Sequence, residues 1–118
     1  MGRLSTHVLD TVRGGPAAGV VIELHRLADG GAWHFIARTT TNADGRTDAP
    51  LLTGAALEPG TYMLSFHVGD YFKAAGPRTA APPFLDIVPV RFTVAEADAH
   101  YHVPLLTTPW SYATYRGS

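Results

Sequence analysis

The chain has 118 residues, of which 46% are hydrophobic and 16% are charged, a balance typical of an ordered globular protein. Its net charge of −1 gives no electrostatic reason to expect a nucleic acid or an anionic membrane as a partner. The absence of cysteine excludes a disulfide framework, a thiolate metal site and a cysteine nucleophile. We expect one domain over residues 1–118.

Short β-strands dominate the pattern, because runs rich in β-branched and aromatic residues alternate with turns rich in Gly, Pro and Asn. The predicted strands cover residues 4–10, 20–27, 33–40, a short stretch after Arg46, 61–68, 86–94, a run that starts at His100, and about 111–116. Residues 71–75 are the only predicted helix, with Gly76-Pro77 ending it, and residues 47–54 and 80–83 are predicted loops. About eight short strands separated by turns predict an all-β fold, a two-sheet antiparallel sandwich.

Because side chains alternate across a strand, the parity of each residue decides its face. In the first strand, Ser5, His7 and Leu9 share the face opposite to Thr6 and Val8. In the strand that starts at His100, the residues predicted to face the core are Tyr101, Val103 and Leu105, and those predicted to face outward are His100, His102, Pro104 and Leu106. If the first and the last two strands are neighbours, His7, His102 and Tyr115 lie on one face, which suggests an interface or a ligand cleft.

The histidines admit three interpretations. Single exposed imidazoles are common and need no function. A metal site is the second, since His100 and His102 lie on one side of a strand and His7 would supply a third ligand. An acid–base site is the third. The motifs of serine hydrolases, phosphate-binding loops and zinc proteases are missing from the sequence.

Several segments together resemble one known family. They are Leu4-Ser5-Thr6-His7-Val8-Leu9-Asp10, Asp44-Gly45-Arg46, Gly69-Asp70-Tyr71-Phe72, His100-Tyr101-His102-Val103-Pro104-Leu105-Leu106, and the terminal Tyr115-Arg116-Gly117-Ser118. The chain is similar along nearly its whole length to the transthyretin-related 5-hydroxyisourate hydrolases. The terminal tetrapeptide is the most specific element, since it is similar to the signature that separates these hydrolases from the hormone-carrying transthyretins.

The resemblance implies hydrolysis of 5-hydroxyisourate to 2-oxo-4-hydroxy-4-carboxy-5-ureidoimidazoline in urate degradation, with neither a metal nor another cofactor. It implies that the catalytic residues are His7, Arg46 and His102, and that the residues contacting the substrate are His7, Arg46, Tyr115 and Ser118. It also implies a homotetramer, a dimer of dimers whose channel holds the active sites. The alternative is a noncatalytic carrier of small ligands, as transthyretin is. We expect a cytoplasmic location, since no signal-peptide pattern occurs at residue 1.

Overall fold

The computed structural model describes residues 1–75 and 81–118, which form a β-sandwich with one short α-helix. The strands are β1 (Arg3–Asp10), β2 (Gly15–Pro16), β3 (Val21–Leu27), β4 (Trp33–Thr40), β5 (Leu52–Thr53), β6 (Gly60–His67), β7 (Ile87–Val94), β8 (His100–Thr107) and β9 (Tyr112–Thr114). The helix α1 (Val68–Ala75) follows β6 directly. Within the described ranges, no helix is long and apolar enough to cross a membrane.

The strands form two sheets, which confirms the predicted two-sheet sandwich. The first sheet has the order β2-β1-β8-β9, with β5 pairing with the start of β1, and the second has the order β4-β3-β6-β7. Every pairing is antiparallel except that of β1 with β8, which run parallel. A parallel pair needs a long crossover connection, and here the crossover contains the whole second sheet.

The core lies between the sheets and follows the predicted alternation. Leu4 and Val8 on β1 are fully buried, and Thr6 between them is 1% exposed. Thr6 keeps its hydroxyl in this position because Oγ1 donates a hydrogen bond to the carbonyl oxygen of Val103 (2.6 Å). The largest fully buried side chains elsewhere include Tyr62, Phe66, Phe72, Ile22, Leu24, Leu64 and Leu105.

A buried carboxylate ties the helix to the end of β1. Asp10 is 1% exposed, and its Oδ1 accepts hydrogen bonds from the backbone N–H groups of Val12 (2.9 Å) and Arg13 (3.1 Å). Its Oδ2 accepts the hydroxyl of Tyr71 on α1 (2.7 Å). Burial, together with the hydrogen bond to Asp10, raises the pKa of Tyr71 to about 12, so the phenol remains a neutral donor at pH 7.

Some element boundaries differ from the predicted ones. The helix begins at Val68 instead of residue 71, because the buried Val68 and Gly69 already belong to its first turn. The predicted helix end at Gly76-Pro77 lies outside the described residues. The predicted loop 47–54 contains the two residues of β5, and the last strand has three residues, Tyr112–Thr114.

Pro104 lies on the predicted outward face, because the residue opposite it on β1 is His7, but it is not exposed. Pro104 is buried, because β8 is an inner strand that has β1 on one side and β9 on the other. On the β1 side, His7 is directly opposite Pro104. On the β9 side, the hydroxyl of Thr114 donates to the carbonyl oxygen of Pro104 (2.8 Å).

Candidate active site

The first two site residues lie on adjacent strands. In the parallel register of β1 and β8, Ser5 is opposite His102 and His7 is opposite Pro104. Residues opposite one another point to the same face of a sheet, so Ser5, His7 and His102 share the face away from the core. β1 and β8 are therefore neighbours, which is the condition for His7 and His102 to share a face.

Arg46 reaches this face through a tight turn that docks against β1. The side-chain oxygen of Asn42 accepts the backbone N–H groups of Asp44 (2.9 Å) and Arg46 (3.2 Å), and the Val8 N–H donates to the carbonyl oxygen of Gly45 (2.8 Å). Gly45 has φ 73°, and a Cβ there would collide with the carbonyl oxygen of Val8. The turn thus pairs Arg46 with His7 in a single β-bridge.

Each of the two imidazoles has one nitrogen held by the protein. The Nε2 atom of His7 lies 2.8 Å from the carbonyl oxygen of Asp44; since a carbonyl only accepts, Nε2 carries the proton and donates. The Nδ1 atom of His102 lies 2.8 Å from the hydroxyl oxygen of Ser5. The nitrogens left for a substrate or a water molecule are therefore Nδ1 of His7 and Nε2 of His102.

His102 is poised to be neutral at physiological pH. Burial lowers its pKa from the ordinary value, and coulombic interactions with Arg46 and with the His7 imidazole lower it further. A neutral imidazole beside an arginine is able to accept a proton, whereas an imidazolium is not.

Arg46 has no anionic partner in the described part of the chain. Its side chain is exposed, and neither an ion pair nor a side-chain hydrogen bond involves it there. It lines, with Ser5, a cavity of about 190 Å³. A larger cavity of about 560 Å³ lies around Arg26, His34 and Tyr62 and contains none of the predicted site residues. The guanidinium of Arg46 is thus available to an oxygen of a bound molecule.

The C-terminal segment packs on the other side of His102. The backbone N–H of Gly117 donates to the carbonyl oxygen of His102 (2.7 Å), and the two residues form a β-bridge. A Cβ atom on Gly117 would lie 2.5 Å from Cδ2 of the His102 ring. The guanidinium of Arg116 lies 4.2 Å from the ring centre of Tyr101 and donates to the carbonyl oxygen of His100 (3.2 Å).

The other predicted site residues of this segment lie further along the surface. Tyr115 is 59% exposed and lines a cavity of about 340 Å³ with Tyr101, Val103 and Arg116. In the described part of the chain it forms neither a hydrogen bond nor a ring stack with His7 or His102. Ser118 is exposed and directly follows the Gly117 bridge.

The structure gives the metal interpretation no support. Among residues 1–75 and 81–118, no group of three or more His, Cys, Asp or Glu side chains is placed to hold a metal ion. His100 belongs to the same face as His102, but it is exposed and is paired with Arg3 at the start of β1.

Sequence reasoning overlooked two contributors to the site. Ser5 was placed on the face of His7, but nothing in the sequence showed that it is opposite His102. In the sequence, Gly117 is only one residue of the terminal signature. Gly117 contributes by having no side chain, which lets the terminal segment pack against the His102 ring, and the sequence does not show that His102 is its neighbour.

Together, the sandwich and the imidazole–guanidinium face define a transthyretin-like β-sandwich protein. A family model described as HIUase/Transthyretin family matches residues 4–117. The chain belongs to the HIUase/transthyretin family.

The chain is similar to proteins named 5-hydroxyisourate hydrolase and to a protein named transthyretin. It is 57% identical over 117 residues to "5-hydroxyisourate hydrolase 2" of Rhizobium meliloti, covering 99% of this chain and 97% of that protein. The structure of Klebsiella pneumoniae 5-hydroxyisourate hydrolase superposes with a TM-score of 0.81 at 36% identity, covering all of both chains. Sea bream transthyretin in complex with thyroxine gives a TM-score of 0.88 at 31% identity, covering 98% of this chain and 94% of that one. The structure of (S)-allantoin synthase gives 0.94 at 45% identity, and this chain spans 44% of its length.

Proposed function

We propose that this protein hydrolyses 5-hydroxyisourate, with His7, Arg46 and His102 as its catalytic residues. The observation that carries the proposal is that two imidazoles and a guanidinium, which has no ion-pair partner among the described residues, lie on one sheet face through the β1–β8 register and the docked turn. The 57% identity to a named hydrolase over 99% of the chain supports the substrate.

In the proposed reaction His102 is the general base. Its lowered pKa keeps it neutral, and its Nε2 is the nitrogen not engaged by Ser5. It takes a proton from a water molecule, whose oxygen attacks a ring carbonyl carbon of the substrate. The C–N bond of the cyclic acyl group then breaks, and the leaving nitrogen receives the proton that His102 took from the water, which returns His102 to its neutral form. Acid–base groups positioned in this way supply about 10²–10⁴-fold in rate.

Arg46 stabilises the charge that develops in the reaction, and His7 orients the substrate. As the water attacks, the carbonyl oxygen becomes an oxyanion, and the exposed guanidinium of Arg46 stabilises it through charge-assisted hydrogen bonds. His7 is held by the Asp44 carbonyl and presents Nδ1, which orients the substrate. Tyr115 and Ser118 form the wall of the site on the C-terminal side in this proposal.

The test is the ultraviolet decay of freshly generated 5-hydroxyisourate with and without the protein. The proposal expects clear acceleration over the spontaneous rate, unchanged in the presence of a chelator. A decay rate equal to that of the buffer would refute the enzyme and leave a noncatalytic ligand carrier, which titration with thyroxine would then examine.

The assembly is part of the proposal. We propose a homotetramer, a dimer of dimers, formed from single-domain chains in the cytoplasm. Exposed apolar side chains support association: Phe84, Ile87, Trp110 and Tyr112 are each 45–68% exposed, and Ile87 and Tyr112 begin β7 and β9, which end their respective sheets. Light scattering with size-exclusion chromatography tests the assembly, and a monomeric mass would refute it.

A further inference from the structure

The side chain of Ser5 is in direct contact with the proposed catalytic imidazole of His102. The proposed reaction gives Ser5 no role. Its Oγ lies 2.8 Å from Nδ1 of His102, and the two residues are 97 positions apart in the sequence. Their contact follows from the parallel register, in which they are directly opposite. His7 has no equivalent, since the residue opposite it is Pro104.

The contact leaves two arrangements of protons. A hydroxyl can accept the Nδ1–H of His102, which places the lone pair of the neutral ring on Nε2, or it can donate to an unprotonated Nδ1, which places the ring proton on Nε2. Only the first arrangement makes Nε2 a base. The second makes His102 a hydrogen-bond donor, and no proton transfer from water to Nε2 is then possible.

We propose that Ser5 is a positioning residue that accepts the Nδ1–H of His102 and thereby keeps the lone pair on Nε2. This inference rests on the proposed function, because it assigns His102 its chemical form in that reaction. Ser5 suits the task since it is half-buried within β1, where Leu4 and Thr6 on either side of it are buried in the core. The short side chain has a single torsion to fix, so the hydroxyl stays where the strand places it.

The charges around His102 agree with this arrangement. Arg46 from the docked turn and the His7 imidazole from β1 are the groups whose coulombic interactions lower the pKa of its ring, and on the C-terminal side its neighbour is Gly117, which has no side chain. No carboxylate is hydrogen-bonded to the ring in the described residues. The neutral hydroxyl of Ser5 therefore takes the orienting position that a carboxylate takes in a Ser-His-Asp triad.

The direction of a pKa change separates the two arrangements. If Ser5 accepts from Nδ1–H, its bond is stronger to the charged imidazolium than to the neutral ring, so Ser5→Ala lowers the pKa of His102. If Ser5 donates to a bare Nδ1, it stabilises only the neutral ring, so the same substitution raises that pKa.

The experiment combines nitrogen NMR of the imidazoles with kinetics on the full chain. Long-range ¹H–¹⁵N spectra of the substrate-free protein should show His102 as the Nδ1–H tautomer and His7 as the Nε2–H tautomer. Ser5→Ala should lower the His102 pKa and reduce kcat by on the order of 10–100-fold with little change in KM, since the base is mispositioned and not removed. Ser5→Thr, which keeps the hydroxyl, should restore most of kcat, and Ser111→Ala, on the turn before β9, is the control that should match the parent.

Three results would overturn the inference. They are an Nε2–H tautomer for His102 in the parent protein, a raised His102 pKa in Ser5→Ala, and labelling of Ser5 by a fluorophosphonate probe, which would make it a nucleophile. The tautomer is measured without substrate, so a protein that failed to accelerate 5-hydroxyisourate decay would refute the proposed function and be recognised separately. If Ser5→Ala did not fold, the tautomer of the parent and the kinetics of Ser5→Thr would still decide.

Discussion

A methyl group added at Gly117 should damage catalysis while leaving the fold intact. The Cβ of Gly117→Ala would lie 2.5 Å from Cδ2 of His102 and 3.3 Å from its Cγ. Carbon atoms in contact normally lie about 3.5–4.0 Å apart, so the ring and the terminal segment must separate by about 1 Å. The His102 ring is held at Nδ1 by Ser5 (2.8 Å), and either this contact or the β-bridge from Gly117 must yield.

A displacement of this size has a known order of effect on an enzyme. A misplacement of about 1 Å can cost about 10²-fold in rate, so we expect kcat/KM for 5-hydroxyisourate to fall by roughly this factor. Stability should change little, within about 0.5 kcal/mol, because the segment is at the surface and follows an exposed edge strand. The assay is initial-rate ultraviolet decay at several substrate concentrations, beside urea unfolding of the same samples.

Gly15→Ala is the matched control. Gly15, like Gly117, pairs with a strand of the first sheet, but a Cβ there would have only the end of the Arg13 side chain nearby, at 3.8 Å. It should keep both activity and stability. Parent-like kcat/KM in Gly117→Ala would refute the reasoning, and so would a loss that is fully explained by lower stability.

Three further predictions concern the histidines and the buried tyrosine. His7→Ala and His102→Ala should each lower kcat by about 10²–10⁴-fold, with the oligomer intact by light scattering. His100→Ala should have a small effect, and a loss equal to that of His102→Ala would contradict the choice of His102 over His100. The pH profile of kcat/KM should have its acid limb below the ordinary histidine pKa of 6.5, because burial and the coulombic interactions with Arg46 and His7 lower the pKa of His102. Activity is then lost only as the pH falls through that lowered pKa, and an inflection at or above 6.5 would contradict the assignment of His102 as the base. Tyr71→Phe should destabilise the protein by about 1.5–3 kcal/mol in urea unfolding, since it removes a donor from a buried charged carboxylate, with kcat unchanged; a parent-like unfolding midpoint would show that the bond contributes nothing.

The sandwich could be predicted because its signals are local. Alternation along β1 sends Leu4, Thr6 and Val8 to the core and leaves Ser5 and His7 on the other face, and the observed burial follows this pattern. The turn over residues 42–45 also has a local signal, because Asn, Asp and Gly favour turns and Gly45 adopts the positive φ that glycine permits. The start of the helix at Val68 was not readable, because its first residues are held by packing and not by a helix-start pattern.

The contacts within the site could not be predicted, because they join residues that are far apart in the sequence. By itself the sequence determined which side chains share a face within each strand, since covalent geometry alternates them with a period of two. Only the tertiary structure decided that β1 and β8 run side by side, because parallel neighbours are joined through a distant crossover whose register no local pattern encodes. That register places Ser5 beside His102, and the pairing of the terminal segment with β8 places Gly117 against the same ring. The proposed roles of the Ser5 hydroxyl and of Gly117 therefore depend on their contacts with His102.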